Sequence, residues 1–438
     1  MLLARRGIFF ANLISIFFFF FFFVNTWIII FASYVGGLIG TSLIAFITWH
    51  CCVLLLDVKR SIETSSLSPV DSLALQNSVN LDEDQEGNLL LLDAEEREES
   101  GHGSFGGVAK EVFGNWGLVI VNVLLGFTQL GFCVGYLIFI SSNLLSLAAL
   151  NPSQVLYSWP HLVAVLIATS VGFMLSLIPS LRTLGWISSA SIVCLAVSLL
   201  GIAGYSFRFH NAPSAALFIP EGAPIFIGLV TGAFEGIGTV IPVRDSMAGG
   251  SPLTRRYEKI LLPVMVLVAL VLSLFGLAGY LSFGDSTNPV ITLNLHPGPV
   301  SSAVQVLVML SVFGTFPLQL RPVVDLCSPR SLSESLSSSK RWLGIIAIRA
   351  SLCLLVGAIA YGVPFFGLIS ALVGSVGSSF LMFVFPSLAS IRQGYRTQPY
   401  LLIVKNAALV AFGTLIAVFG GISAVKNIIS ALTYGYQA

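Results

Sequence analysis

Ala223-Pro-Ile-Phe-Ile-Gly-Leu-Val-Thr-Gly-Ala-Phe-Glu-Gly-Ile-Gly-Thr-Val-Ile-Pro242 is an apolar run with one carboxyl, Glu235, near its middle. A stretch of about 20 apolar residues crosses a bilayer as a helix. An acidic side chain at the centre of such a helix costs about 2.5 to 3.5 kcal/mol on insertion scales. An unneeded residue of that cost tends to be lost, so Glu235 is a candidate for function. Gly232, Gly236 and Gly238 surround it. Each weakens a helix by about 0.8 to 1.0 kcal/mol relative to alanine and permits positive φ. The run therefore predicts a helix that unwinds in mid-membrane, facing protein or a water-filled cavity rather than lipid. In transporters, the half-helix N-terminus at such a break attracts a carboxylate and the freed carbonyls hold a cation or an ammonium group. The functional reading makes Glu235 a proton-coupling or gate residue. The plainer alternative is a protonated Glu235 that hydrogen-bonds a neighbouring helix, with glycines that merely allow close packing.

The remainder of the chain suits the same solvent. Of 438 residues, 56% are hydrophobic and only 9% charged, with a net charge of +1. Soluble globules carry nearer about 25% charged residues, so this is an all-α polytopic membrane protein, with no charge excess that points to nucleic acid. Eleven runs are long and apolar enough to span: 8–31, 35–56, 116–149, 161–179, 184–207, 224–243, 260–283, 300–320, 343–362, 365–391 and 407–429. An odd number puts the termini on opposite sides. With a cytoplasmic N-terminus, 16 of the 21 Lys and Arg residues fall in inside segments before Arg5 and Arg6 are added, and only Arg208 and Lys426 fall outside. Cytoplasmic loops hold such an excess of basic residues.

Of the 20 acidic residues, 13 lie between Asp57 and Glu111. The expected organisation is an atypical apolar segment at 1–35, a second transmembrane helix at 36–56, an acidic, largely disordered cytoplasmic loop at 57–112, a transporter core at 113–430 and a short tail at 431–438. Within the loop, Glu86 followed by Leu90 and Leu91 matches an acidic dileucine sorting signal read by adaptor proteins, though a solvated linker with a few leucines fits as well.

Soluble-enzyme constellations are absent: the sequence has no GxSxG, HExxH, GxxxxGK[ST] or DxDxG pattern. The protein is not expected to be an enzyme or an ATP-driven pump. Its six cysteines form no CxxC pair and no Cys–His cluster at metal-ligand spacing, so neither a disulfide framework nor a metal or cofactor site is expected. Other polar residues in the spans have bland and functional readings. Thr128 and Gln129, with Asn122 and Asn143 in the 116–149 run, line a pathway or tie helices together. Thr231 stands one turn before the carboxyl. His50 sits at the inner end of its span, and Arg349 lies about two turns inside its own, where its stem reaches back to the cytoplasmic face. Ser370, Ser375, Ser378 and Ser379 with Gly374 and Gly377 make a small-residue face, for close packing or for a hydroxyl-lined cavity.

These segments resemble the amino acid/auxin permease family, in particular its proton-coupled and vacuolar amino acid transporters. The resemblance is carried by Phe127-Thr-Gln-Leu-Gly-Phe-Cys-Val-Gly-Tyr136 running on to Asn143, and by Phe234-Glu-Gly-Ile-Gly238 with Pro242 and Arg244-Asp-Ser-Met247. Gly279-Tyr-Leu-Ser-Phe-Gly-Asp285, Ile291-Thr-Leu-Asn-Leu295, Pro317-Leu-Gln319, Pro322, Val363-Pro-Phe-Phe-Gly-Leu-Ile-Ser-Ala-Leu-Val-Gly-Ser-Val-Gly-Ser378 and Pro386 continue it in order. It covers roughly 36–429. It implies the amino acid-polyamine-organocation type of fold, two inverted five-helix repeats plus an eleventh helix, with substrate between broken first and sixth helices. Phe234, Glu235, Gly236 and Gly238 carry over as site or gate residues. A small neutral amino acid moving with a proton is implied, in a vacuolar, lysosome-like or plasma membrane. A non-transporting amino acid sensor that signals through the acidic loop is the alternative.

The departure is at the N-terminus. The family's first helix opens with a glycine-containing unwound motif, whereas 8–35 contains no glycine and no proline and includes seven consecutive phenylalanines, Phe17 to Phe23. Either this is translated intron, since a pyrimidine-rich splice-acceptor tract reads as poly-Phe, or it is a replacement helix anchored by Arg5 and Arg6.

Overall fold

The computed structural model describes residues 36–63, 105–178, 180–208, 222–246, 251–284, 287–328, 338–394 and 399–434. The structured elements there are helical, as a chain in lipid must be to satisfy its own backbone polar groups. In chain order they are α1 (Gly36–Glu63), α2 (Phe105–Phe113), α3 (Asn115–Leu147), α4 (Trp159–Ser176), α5 (Leu181–Arg208), α6 (Ala223–Ala233), α7 (Ile237–Ser246), α8 (Ser251–Phe283), α9 (Pro299–Cys327), α10 (Ser338–Gly362), α11 (Phe366–Gly394) and α12 (Tyr400–Tyr434). Nine of these are long and apolar enough to cross a membrane among the described residues, and α6 with α7 makes a further, interrupted pass. The expected span at 8–31, with its poly-Phe run, lies outside the described residues.

Several helices outrun their apolar stretches at the ends that bear Lys and Arg, here called the basic face. The run at 35–56 becomes α1, continuing to Glu63, because Asp57–Arg60 (3.4 Å) and Lys59–Glu63 (3.7 Å) are spaced as helical neighbours. Arg321 and Asp325, 3.8 Å apart, do the same for α9 beyond residue 320. Hydropathy finds the membrane-embedded length, and such pairs carry the helix further. Both ends of the expected 57–112 loop are accordingly helical, in α1 and in α2. Between α2 and α3 the chain reverses at Gly114, whose φ of 74° favours a residue without Cβ.

The centre of the bundle is α11. In its most apolar window 83% of residues are buried, against 22% in α10 and 28% in α5 and α12, which face lipid. Around it, α6 packs on α11, and α9 lies along α5 and α3. Three π turns, Gly374–Ser378 and Phe380–Val384 in α11 and Ile416–Gly420 in α12, widen the helices, the first and third where they meet α6 and the second where α11 meets α12. Exposed aromatics mark two levels. Trp116, Trp186, Trp342 and Tyr400 start helices on the basic face, while Trp159 and Tyr434 sit at the opposite face. Trp and Tyr gather at both membrane–water interfaces because their rings are amphipathic.

Candidate substrate and ion site

Pro224 opens α6, where a missing N–H costs nothing. The helix runs to Ala233 and stops. Phe234 takes φ −94° and ψ 6° and donates its N–H to Val230 O (3.1 Å), and the Glu235 N–H bonds Gly232 O (3.2 Å), a tightened last turn. Residues 234–236 then lie outside any helix, and α7 begins at Ile237. The break falls on the Gly-flanked carboxyl, where the glycines lower the cost of leaving the helix. Because helix ends carry carbonyls and amides that lack intrahelical partners, the break sets the negative end of α6 and the positive end of α7 a few residues apart.

Phe234 is fully buried, and Glu235 is 5% exposed. The Glu235 carboxyl makes no hydrogen bond among the described residues, and the buried phenol of Tyr136 on α3 lies within its electrostatic reach. The plainer reading required a hydrogen bond from Glu235 to a neighbouring helix, and none is present among the described residues. Gly236 is buried with it. Gly238, in the first turn of α7, faces Leu125 of α3, and a Cβ there would sit 3.6 Å from Leu125 Cδ1, an ordinary contact. Packing does not demand glycine at 238.

Packing does demand it on the other side of α6. A Cβ on Gly374 would lie 2.0 Å from Gly228 O and 2.8 Å from Gly232 N, and one on Gly228 would lie 2.1 Å from Ser375 Oγ. A Cβ on Gly420 would meet Ser375 Oγ at 2.4 Å and Pro224 O at 3.2 Å. So α6 touches the π turns of α11 and α12 backbone to backbone. The small-residue face at 370–379 is a packing seam at these positions. The Ser375 and Ser378 hydroxyls within it are buried without hydrogen-bond partners among the described residues, and the Ser379 hydroxyl donates to Ser375 O.

The threonines serve their own helices. Thr231 Oγ1 donates to Ile227 O (2.7 Å), while Thr128 Oγ1 bonds Leu124 O (3.1 Å) and Leu125 O (2.9 Å) and its methyl packs on Gly377. Gln129 is half-buried beside Thr128. The structure thus brings Phe234, Glu235, Gly236 and Gly238 together at the break and sets Thr231 one turn before it. Thr128 lies on α3 one turn from Leu125 and is engaged by α11. Glu86, Leu90 and Leu91 lie outside the described residues.

Two polar networks had weak sequence signals. Toward the face opposite the basic one, Thr292 Oγ1 donates to Asn143 Oδ1 (2.6 Å), Asn143 Nδ2 to Phe139 O (2.9 Å), and Gln305 Nε2 to Thr292 O and Ser146 Oγ (both 3.1 Å). This buried knot ties the short 3₁₀ turn Ile291–Asn294 to α3 and α9. Asn143 in an apolar run hinted at it, but its partner is 149 residues away. On the basic face, Arg244 Nη2 of α7 reaches Glu63 Oε2 of α1 at 3.1 Å. His50 has a buried Nε2 without a hydrogen-bond partner among the described residues. Arg349 donates from Nη1 to the carbonyl of Ser176 in the last turn of α4, toward the basic face.

A bundle of membrane-length helices with one interrupted pass is an architecture found among membrane transporters. Comparison with known proteins agrees. The family described as transmembrane amino acid transporter protein matches residues 87–426. The amino acid transporter AVT3B of Arabidopsis thaliana is 31% identical over 339 residues, 74% of this chain and 78% of the relative. AVT3A of the same plant is 29% identical over 401 residues, 90% and 83% of the two chains, and the amino acid transporter ANT1 is 26% identical over 379 residues, 81% and 77%. The chain belongs to this transmembrane amino acid transporter family, the amino acid/auxin permeases that its motifs resemble. It is an amino acid transporter and not an enzyme.

Proposed function

We propose that the protein moves small neutral amino acids by proton symport, with the substrate at the α6–α7 break and Glu235 as the proton-coupling group. The observation that carries this reading is a carboxyl buried beside an unwound backbone with no hydrogen bond among the described residues. A carboxyl fixed as a structural donor would be tied to an acceptor, whereas an untied one is free to exchange a proton and to meet a substrate. The α7 N-terminus attracts the substrate carboxylate, and the α6 carbonyls attract its ammonium. Phe234 walls the break, while Thr231, Gly236 and Gly238, with Thr128 and Gln129 across from them on α3, form its surroundings. The residues named at the break carry no charge besides Glu235, which favours a substrate with a neutral side chain.

The core spans 113–430 in this reading, with 57–112 as a cytoplasmic acidic loop. Glu86, Leu90 and Leu91 supply an adaptor-read signal to a vacuolar or lysosome-like membrane, where a standing proton gradient drives export.

Uptake of a panel of labelled amino acids into proteoliposomes under an imposed pH gradient tests the proposal. Neutral amino acids should accumulate with the gradient, and Glu235→Gln should reduce accumulation to background. Unchanged pH dependence in that variant would return Glu235 to a structural role. Binding without accumulation of any amino acid would favour a sensor instead.

A further inference from the structure

A second polar site lies on the basic face, on helices other than those of the break. A cleft between α4, α5, α9 and α10 is lined by Ser176, Leu184, Pro317, Arg321, Val324 and Arg349. Its enclosed volume is about 10 Å³, room for roughly one water-sized group, and beyond that it is open. We infer that this cleft holds the headgroup phosphate of an anionic phospholipid from the cytoplasmic leaflet, one phosphate oxygen entering between Arg321 and Arg349.

Arg321 and Arg349 stand within electrostatic range of one another, and two guanidiniums in one cleft repel. Asp325, the carboxylate near both, is 3.8 Å from Arg321 and its side chain is 68% exposed. So open a pair contributes little, because water screens it. Arg349 uses Nη1 on the Ser176 carbonyl, and Arg321 meets Asp325 through Nε. Each guanidinium has five N–H donors in a fixed fork, so donors remain on both forks. A tetrahedral phosphate matches such forks, and charge-assisted bonds to it are about twice as strong as neutral ones.

Depth then selects a lipid over a free anion. Trp186 is two residues beyond Leu184 and 63% exposed, and Trp342 is 66% exposed at the start of α10. Exposed tryptophans sit at headgroup level. Arg349 is seven residues, about 10 Å of helix, deeper than Trp342, so its stem leans toward that level. Leu343, 64% exposed beside Trp342, offers apolar surface to an acyl chain. Basic clefts between transmembrane helices on the cytoplasmic side are where acidic headgroups bind.

The test uses the full chain in nanodiscs of phosphatidylcholine, with and without phosphatidylinositol phosphate, read by melting temperature and by lipid retained in native mass spectrometry. The wild type should melt several degrees higher in doped discs and retain the acidic lipid. Arg321→Gln should melt like wild type in pure phosphatidylcholine, since its contact to Asp325 is exposed, yet bind the doped lipid about tenfold more weakly. Arg321→Lys should recover part of that loss. An equal lipid-dependent rise in Arg321→Gln, or none in the wild type, would overturn the assignment. So would inorganic phosphate alone reproducing the rise in undoped discs, because the ligand would then be a soluble anion.

Discussion

Gly374 and Gly126 are both glycines inside membrane helices, and their surroundings separate them. A methyl on Gly374 would stand 2.0 Å from a carbonyl oxygen of α6, backbone against backbone, and neither helix can yield without shifting the other. A methyl on Gly126 would meet nothing within 4 Å. Gly374→Ala is therefore expected to destabilise the protein by about 1 to 3 kcal/mol. Gly126→Ala should be neutral or stabilising by up to about 1 kcal/mol. Thermal unfolding in detergent compares the pair, and equal melting temperatures would show that the seam is looser than described. Asn143 makes a related case. Asn143→Ala leaves Thr292 Oγ1 without its acceptor in a fully buried place, at a cost of about 1 to 3 kcal/mol. Thr292→Val in the same background should then add little, since the bond is already gone.

Among the elements, the α6–α7 pass carries the functional weight. Its break, residues 234–236, falls between Gly232 in the last turn of α6 and Gly238 in the first turn of α7, and only the α6 side is locked by close packing. Gly238→Ala adds a methyl that the site tolerates at 3.6 Å from Leu125 and favours helix by about 1 kcal/mol. The expected outcome is an unchanged or raised melting temperature with slower amino acid uptake, as the break closes up. A drop in stability with uptake unaffected would refute this account of the break. The α11 helix makes the complementary point. Its first π turn, Gly374–Ser378, meets α6 at the seam, and an irregular turn of that kind is common where function needs a helix to depart from regularity.

For the molecule as a whole, the distribution of Lys and Arg assigns the basic face to the cytoplasm. Lys340 at the start of α10 and Gln154 in the α3–α4 connection are both exposed, at opposite faces of the bundle. In sealed vesicles with the cytoplasmic face outward, and in a cysteine-free background, an impermeant maleimide should label a cysteine at Lys340 and spare one at Gln154. The reverse pattern would invert the topology and move the phosphate cleft to the other leaflet. The N-terminal stretch is decided outside the fold: a mature transcript that encodes Phe17 to Phe23 in frame removes the reading that these residues are translated intron.

The sequence by itself determined a helical membrane protein, its family, the number of passes over 36–434, and the one carboxyl in mid-span. These follow from local properties, since apolar length, glycine clustering and the cost of burying a charge are all read within about 20 residues. It also pointed to a break within the glycine-rich run 232–238, because helix propensity is local too. Tertiary structure alone decided which polar groups are engaged. Thr128 and Thr231 had to be in hand before their hydroxyls were seen to bond their own helices. The Asn143–Thr292 pair spans 149 residues and the Glu63–Arg244 pair 181. No periodicity encodes such partners, since the contact is made by how helices pack and not by what either helix is. The same holds for the glycines: Gly374 and Gly238 are alike in sequence, and only the distance to the neighbouring helix tells the one that packing requires from the one that it does not.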